Sequence, residues 1–220
     1  MRIIGISGSP RGRQSNTRKL VERVLEGARG CGAEVELVDL GEMKIDYCIA
    51  CDHCHAKGPC SRQDEFSPLR ERMIAADGLV FGSPLYFDSV TAQLKTLIDR
   101  LPQVVHCQQF LGKYACSVAT SGSGDYEMAI RYMNGLLMRL GCSVVGGVGG
   151  AVAIPGSLQA AEQDALALGR DLAQAITEQR KYPDQEPIHA DMRERFKRLV
   201  TFRKDDWVWE HDYWNERGWL

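Results

Sequence analysis

Apolar residues along the chain form short continuous runs that alternate with stretches in which they recur every three or four positions. Four runs predict strands, at residues 3–6, 78–82, 114–120 and 142–145, and the alternation of polar and apolar residues at 34–40 predicts a second, more exposed strand. The stretches of helical spacing predict amphipathic helices. Their apolar stripes comprise Leu20, Val24 and Ala28, then Val90, Leu94, Leu97 and Leu101, then Ile130, Met133, Leu137 and Leu140, and finally Ala161, Ala165, Leu168, Leu172 and Ile176. Strands that alternate with helices predict an α/β fold whose parallel sheet is covered on both faces and binds ligands at the carboxyl ends of its strands.

The alternation ends near Pro183, so we predict a domain at residues 1–182 and a C-terminal extension at residues 183–220. The extension contains a basic segment of helical spacing, Met192 to Val200, and all four tryptophans of the protein. Aromatic side chains bury their large apolar area only when they are docked. We therefore expect the extension to pack against the domain or a partner subunit, or to form one wall of a ligand pocket.

Charge and hydropathy argue against two classes of partner. The chain carries 27 basic and 29 acidic residues, a net charge of −2, which argues against a nucleic-acid partner. No segment reaches the ~18 apolar residues of a membrane span, and polar residues follow the first strand directly, so we expect no membrane partner, no signal peptide and a cytoplasmic location. In a reducing compartment the eight cysteines should not form disulfides. Four scattered ones are predicted to be small buried hydrophobic residues: Cys31, Cys107, Cys116 and Cys142.

The loop after the first strand, residues 5–17, matches neither a dinucleotide fingerprint nor a Walker loop. It is rich in groups that donate hydrogen bonds, and it precedes a helix whose free N–H groups favour an anion. These groups belong to Ser9, Arg11, Ser15, Asn16 and Thr17. A helix cap at Ser15 or Asn16 explains part of the pattern, but five donors exceed what a cap requires. The loop therefore predicts a binding site for a terminal monophosphate.

Two further loops follow the third and fourth strands. Residues 82–87 end in Tyr86 and Phe87, which offer flat apolar faces, and residues 120–124 are small and polar. Together they suit a flat heteroaromatic ring, stacked on one loop and hydrogen-bonded to the other. A ring of this kind with a monophosphate at its far end has the shape of FMN, so FMN is the predicted cofactor.

A loop inserted after the second strand, residues 48–60, has the spacing C-x2-C-x2-C-x5-C. Its cysteines are Cys48, Cys51, Cys54 and Cys60. Two adjacent C-x2-C steps resemble the start of a bacterial ferredoxin motif, which favours a [4Fe–4S] cluster. A zinc ion held by the four thiolates and bare thiols that only pack the loop are the alternatives. His53 and His55 are expected to face solvent.

The loop motifs resemble the NADPH-dependent FMN reductase family of flavodoxin-like proteins over roughly residues 1–180. The resemblance is carried by Gly8-Ser9-Pro10-Arg11, Ser15-Asn16-Thr17, Ser83-Pro84-Leu85-Tyr86-Phe87, Leu94-Lys95 and Asp99-Arg100. It implies a flavodoxin-like three-layer sandwich, with a five-stranded parallel sheet in the order 2-1-3-4-5, and a homodimer or homotetramer with the flavin near an interface. The cysteine spacing is similar to that of the iron–sulfur flavoproteins, a branch in which the cluster passes electrons to FMN, often that of a neighbouring subunit.

The same resemblance assigns a role in flavin binding to twelve positions. By position, the phosphate would be held by Ser9, Arg11, Ser15, Asn16 and Thr17, and the ring would be lined by Pro84, Leu85, Tyr86 and Phe87, with Thr120, Ser121 and Gly122 on its polar edge. No catalytic acid or base is predicted, because the flavin itself performs the redox chemistry.

Three functions are compatible with these features. The first is an FMN-dependent oxidoreductase with a [4Fe–4S] cluster, which passes electrons from a ferredoxin-like donor to a small-molecule acceptor. The second is a cluster-free FMN or quinone reductase that takes hydride from NAD(P)H. The third is a non-enzymatic flavin electron carrier or redox sensor, against which the weak net charge argues, since electron carriers of this kind meet their partners through strong charge.

Overall fold

A five-stranded parallel sheet forms the centre of the protein, whose computed structural model describes residues 1–220. Its strands are β1 (Arg2–Ser7), β2 (Glu34–Asp39), β3 (Gly78–Pro84), β4 (Tyr114–Ser121) and β5 (Ser143–Ala151). All neighbouring strands pair in parallel, in the order β2-β1-β3-β4-β5. The flavodoxin-like α/β architecture and the strand order expected from the sequence are confirmed.

Helices cover both faces of the sheet. They are α1 (Asn16–Gly30), α2 (His53–Lys57), α3 (Phe66–Ala75), α4 (Ala92–Asp99), α5 (Pro102–His106), α6 (Tyr126–Arg139), α7 (Ser157–Glu178), α8 (Glu186–Phe202) and α9 (Val208–Glu216). The apolar stripes of α1 and α7 form one core with the sheet, and those of α3, α4 and α6 form a second core on the opposite face. No helix is both long enough and apolar enough to span a membrane.

Glycines bring α1 close to the sheet and thereby fix where its first turn lies. A Cβ atom on Gly82 of β3 would collide with the buried side chain of Val21 in α1. Helix α7 packs beside α1 on the same face of the sheet, and a Cβ atom on Gly169 of α7 would collide with the carbonyl of Val24. Because α1 is held against both the sheet and α7, its N-terminus is fixed at the carboxyl ends of β1 and β3.

Some sequence-based expectations about elements differ from the structure. Strand β5 runs to Ala151 rather than ending at residue 145, because Gly147 and Gly149 belong to the strand and leave room for α6. A Cβ atom on Gly147 would lie 2.5 Å from a methyl carbon of Ile130. Cys31, expected to be buried, is exposed in the turn that ends α1.

The extension folds into α8 and α9 and packs against the domain. Trp214 is fully buried, and its indole Nε1 donates a hydrogen bond to the carbonyl of His106, 3.1 Å away. A small separate core joins the two helices of the extension, formed by Met192, Phe196, Val200 and Trp214. The predicted basic segment, residues 192–200, lies within α8.

Candidate functional site

A cleft of about 190 Å3 lies at the carboxyl ends of β1, β3 and β4. In this sheet order the chain crosses from one side of β1 to the other, which is where open α/β sheets bind ligands. The cleft is lined by Ser9, Arg11, Ser15, Asn16, Thr17, Pro84, Leu85, Tyr86, Thr120, Ser121, Gly122 and Val152. All the positions predicted for flavin except Phe87 are therefore brought together. Val152 was not predicted as a lining residue because the sequence pattern predicted an end of β5 at residue 145, seven residues before it.

The first turn of α1 supplies the polar end of the cleft. Ser15 caps the helix, and its Oγ accepts a hydrogen bond from the backbone N–H of Arg18 at 3.1 Å. The side chains of Ser9 and Thr17 are almost completely buried, and the Thr17 hydroxyl is hydrogen-bonded to that of Thr120. The N–H groups of the first helical turn and these hydroxyls form a cradle of donors with the chemistry that an anion requires.

Backbone contacts hold the cradle in place. The N–H of Gly8 donates to the carbonyl of Gly82 at 2.7 Å, and a Cβ atom on Gly8 would lie 2.7 Å from the Cβ of Leu94. The Thr91 hydroxyl donates to the Gly8 carbonyl. At the end of β1, the hydroxyl of Ser7 is buried and has no partner within the protein. Contacts within the protein thus determine the shape of the cradle.

The loop after β3 forms the second wall of the cleft. The N–H of Leu85 donates to the carbonyl of Thr120 at 2.7 Å, and Tyr86 and Ser89 exchange two backbone hydrogen bonds that close a tight turn. Phe87 and Asp88 at its apex have left-handed φ values of 46° and 59°. The turn leaves Phe87 fully exposed outside the cleft, whereas Tyr86 stands half-exposed at the rim.

All four cysteines of the predicted metal site line a second cavity, of about 150 Å3. The loop that carries them includes α2 and two residues in left-handed conformation, Ala50 with φ 50° and Asp52 with φ 55°. Non-glycine residues adopt this conformation at a cost, and such strain is concentrated at functional sites. No disulfide links any of the eight cysteines.

Polar and positive groups surround the thiols of this cavity. The guanidinium of Arg100 donates to Cys60 Sγ at 3.2 Å, and it is held by a buried ion pair with Asp64 at 2.8 Å. A hydrogen bond with the hydroxyl of Ser61 lowers the pKa of the Cys51 thiol. Arg62 and Arg70 also line the cavity, beside Arg100. The surroundings of Cys51 favour its thiolate, the form in which cysteine binds metal.

The expectation that His55 faces solvent is wrong, whereas His53 is exposed as expected. The His55 side chain is buried, and its Nδ1 lies 2.6 Å from Oε1 of Glu210 in α9. Burial alone would lower the pKa of His55, but hydrogen bonds to Cys54 and Glu210 raise it to about 10. Sequence reasoning missed Glu210 because 155 residues separate it from its partner.

Comparison with known proteins matches residues 1–159 to the family model of NADPH-dependent FMN reductases. The chain belongs to this family. Over 225 aligned residues it is 34% identical to an iron-sulfur flavoprotein of Archaeoglobus fulgidus, with 100% of each chain covered. It is 36% identical to an iron-sulfur flavoprotein of Methanocaldococcus jannaschii, over 66% of this chain and 76% of the relative. The family resemblance given by the loop motifs is thereby confirmed.

Solved structures confirm the fold of this FMN reductase family member. The NAD(P)H:quinone oxidoreductase from Methanothermobacter marburgensis superposes with a TM-score of 0.61 at 19% identity, covering 78% of this chain and 98% of that one. The apo form of an NADH:FMN oxidoreductase gives 0.60 at 24% identity, covering 84% and 92%. Family and relatives together make this chain a flavin-dependent oxidoreductase that uses FMN.

The cleft of this FMN reductase family member fits its cofactor. A phosphate is a strong acceptor, and the polar end of the cleft offers buried hydroxyls together with the N–H groups of a helix N-terminus. The wall formed by Pro84, Leu85 and Tyr86 is largely apolar, as a flat ring requires. The cysteine cavity likewise matches the donor set of an iron–sulfur centre, since four cysteines line one cavity beside an N–H donor, the guanidinium of Arg100.

Proposed function

We propose that Cys48, Cys51, Cys54 and Cys60 hold a [4Fe–4S] cluster that exchanges electrons with FMN in the cleft, and that a small-molecule acceptor is reduced there. The cluster supplies single-electron transfer, and the flavin supplies the chemistry of the acceptor. The observation that carries the proposal is that four cysteine side chains line one cavity together with three arginines. The relatives named iron-sulfur flavoproteins support it.

In this proposal the protein binds and orients FMN through its own polar groups. Ser9, Ser15 and Thr17 bond the phosphate oxygens together with the N–H groups of α1, and the exposed Arg11 adds a positive charge at the rim. Asn16 completes the phosphate site. The ring lies against Pro84, Leu85 and Tyr86, while its polar edge meets Thr120, Ser121 and Gly122. The buried hydroxyl of Ser7, which has no partner, is a further donor beneath the phosphate loop.

The arginines distinguish the cluster from bare packing thiols. Four thiolates with the iron–sulfur core carry net negative charge. Arg70, which forms no ion pair, lies where it offsets this charge, beside Arg62 and Arg100, which pair with Asp46 and Asp64. The N–H donated by Arg100 to Cys60 Sγ is the kind of bond that raises the reduction potential of a cluster. Thiols that only pack a loop need none of these charges.

We further propose that a second copy of the chain covers the rim of the cleft, in a homodimer or homotetramer. Large apolar side chains are exposed on the loops around this edge of the sheet: Tyr47, Ile49, Phe87, Val152 and Ile154. An exposed apolar patch of this kind indicates an interaction surface. Its proximity to both cavities favours electron transfer between subunits. The donor in this proposal is a ferredoxin-like protein, whereas NAD(P)H is the donor in the cluster-free alternative. The proposed location is the cytoplasm.

The test is anaerobic purification followed by assay of iron, acid-labile sulfide, zinc and FMN. We expect about four iron and four sulfide per FMN, and a flavin that NAD(P)H alone does not bleach rapidly. FMN without iron or sulfide, and rapid bleaching by NAD(P)H, would overturn the cluster and establish a cluster-free NAD(P)H-dependent FMN or quinone reductase. Stoichiometric zinc would also overturn it.

A further inference from the structure

The extension reaches back to the cysteine loop through a fully buried carboxylate. Glu210 in α9 has no exposed surface, and its two oxygens meet two imidazoles: Nδ1 of His55 at 2.6 Å and Nδ1 of His106 at 3.1 Å. Burial raises the pKa of Glu210, but the hydrogen bonds from His106 and His55 lower it below its ordinary value. An ionised carboxylate only accepts, so both Nδ1 atoms donate. A buried charge held in this way fixes both rings.

Aromatic packing adds to this contact. The ring of Trp207, also in the extension, stacks on His55 with 4.3 Å between ring centres and an angle of 25°. His106 stacks on His55 at 4.9 Å. His55 is therefore held by its ring faces as well as by its Nδ1 atom.

Both ends of α2 are also held. At its start, Asp52 forms an ion pair with Arg203 at 3.8 Å. At its end, Gly58 has φ 92°, and a Cβ atom there would lie 2.5 Å from the indole nitrogen of Trp209. The side-chain amide of Gln103 donates to the carbonyls of Cys54, at 2.8 Å, and Gly58.

A helix as short as α2, which has five residues, does not hold its own conformation in water. Its order must therefore come from the contacts just described, most of which the extension supplies. Cys54 lies inside α2, next to His55, and its neighbours Cys51 and Cys60 lie in the segments that flank the helix.

We infer that the extension positions the cysteine loop: Glu210, Trp207 and Trp209 fix α2 so that Cys54 faces the cavity beside the other three cysteines. None of the three lines the cavity, so they are positioning residues that act through His55 and Gly58. The inference rests on the proposed function only in naming a [4Fe–4S] cluster as the group in the cavity. The positioning of the cysteine loop by the extension does not depend on any metal.

The first experiment measures amide hydrogen exchange in the full-length protein without metal, comparing Glu210→Gln with Glu216→Gln, an exposed position in the same helix. We expect the amides of residues 53–58 to exchange about tenfold faster in Glu210→Gln, since it loses a hydrogen bond to a charged group. Exchange in β1 and β4 should match the control. Equal exchange of residues 53–58 in both variants, or an equal increase across the whole sheet, would overturn the inference.

The second experiment reconstitutes the variants with iron and sulfide and records iron per FMN and the electron paramagnetic resonance spectrum. Trp209→Phe is included because it keeps the buried carboxylate and removes only the indole edge beside Gly58. We expect both Glu210→Gln and Trp209→Phe to hold less iron than Glu216→Gln and to give an altered spectrum, with FMN content unchanged. Iron content and spectrum equal to the control in both variants would contradict the inference. If the unaltered protein binds no iron, the proposed function fails while the exchange experiment still decides the positioning.

Discussion

The two cavities of this protein are built in different ways. The cleft that we propose holds FMN is formed by loops that directly follow β1, β3 and β4, and the sheet and α1 fix these loops through backbone hydrogen bonds and glycine contacts. The cysteine cavity lies on an insertion held by side chains from α5 and from the extension. The first site is a consequence of the fold, and the second is an addition that depends on distant contacts. We therefore expect the two sites to respond independently to substitution.

The largest expected effect separates the sites completely. Cys54→Ser removes a ligand thiolate from the cysteine cavity, and we expect it to lose most of its iron while keeping FMN at one per chain. Cys31→Ser is the matched control, because Cys31 is exposed and lies outside the cavity. Iron, sulfide and FMN are assayed in both. Loss of FMN together with iron in Cys54→Ser would show that the two sites are coupled and would contradict their expected independence.

The converse test weakens FMN binding without loss of iron, and it uses substitutions of Ser15, the residue that caps α1. Ser15→Asp keeps a side chain that caps α1 but directs a negative charge at the phosphate, whereas Ser15→Ala removes the cap and one donor. We expect the Kd for FMN to rise about tenfold in Ser15→Ala and further in Ser15→Asp. The melting temperature should fall mainly in Ser15→Ala, since a cap contributes about 1 kcal/mol.

Flavin titration and thermal unfolding of the apo-protein measure these two effects. Iron content should stay as in the unaltered protein for both Ser15 variants. Tighter FMN binding in Ser15→Asp than in Ser15→Ala would show that the phosphate does not lie at the N-terminus of α1.

The difference between the sites also explains what the sequence could predict. The strands follow from local periodicity, and the flavin loops from motifs in which neighbouring residues act together, such as Ser15-Asn16-Thr17. The strand order follows from the family resemblance that these motifs carry. The burial of His55 could not be predicted, because its partner Glu210 is distant in sequence and an isolated histidine beside cysteines gives no periodic signal. Phe87 was predicted to line the cleft because it belongs to the same motif as Pro84, Leu85 and Tyr86. Its left-handed backbone conformation places it outside the cleft. Periodicity also failed to predict the second half of β5, because the glycines that allow this strand to pack closely against α6 give a sequence pattern typical of a loop.

A smaller effect sharpens the dependence of the cysteine loop on the extension. In Gly58→Ala, the new Cβ meets Trp209 at a residue with φ 92°. Gly112→Ala is the control, since Gly112 has φ 83° but nothing within 4 Å of the added carbon. The positive φ costs each variant about 1–3 kcal/mol, and the collision adds about 1–3 kcal/mol at Gly58.

Thermal unfolding then gives a melting temperature lower for Gly58→Ala than for Gly112→Ala, by about 2–4 °C for each additional kcal/mol. FMN binding should be the same in both variants. Equal melting temperatures would mean that the Trp209 side chain moves away from the added carbon without a loss of stability, and that the extension does not hold the end of α2.

The smallest effect concerns the ion pair between Asp64 and Arg100, which holds the guanidinium beside Cys60. Burial alone would raise the pKa of Asp64, but hydrogen bonds from Arg100 and from two backbone N–H groups lower it below its ordinary value. A carboxyl whose pKa is lower in the folded protein stabilises the folded state at pH values above its unfolded-state pKa of about 3.9. This stabilisation is lost as the pH falls through the folded-state pKa.

Asp64→Asn should therefore have a lower melting temperature than the unaltered apo-protein at pH 6, and the difference in melting temperature should narrow toward pH 3. The exposed Asp205→Asn should show no such trend. A difference that stays constant from pH 6 to pH 3 would mean that the carboxylate of Asp64 contributes shape but no charge to the cysteine cavity, and that Arg100 is held there by its packing on Phe66.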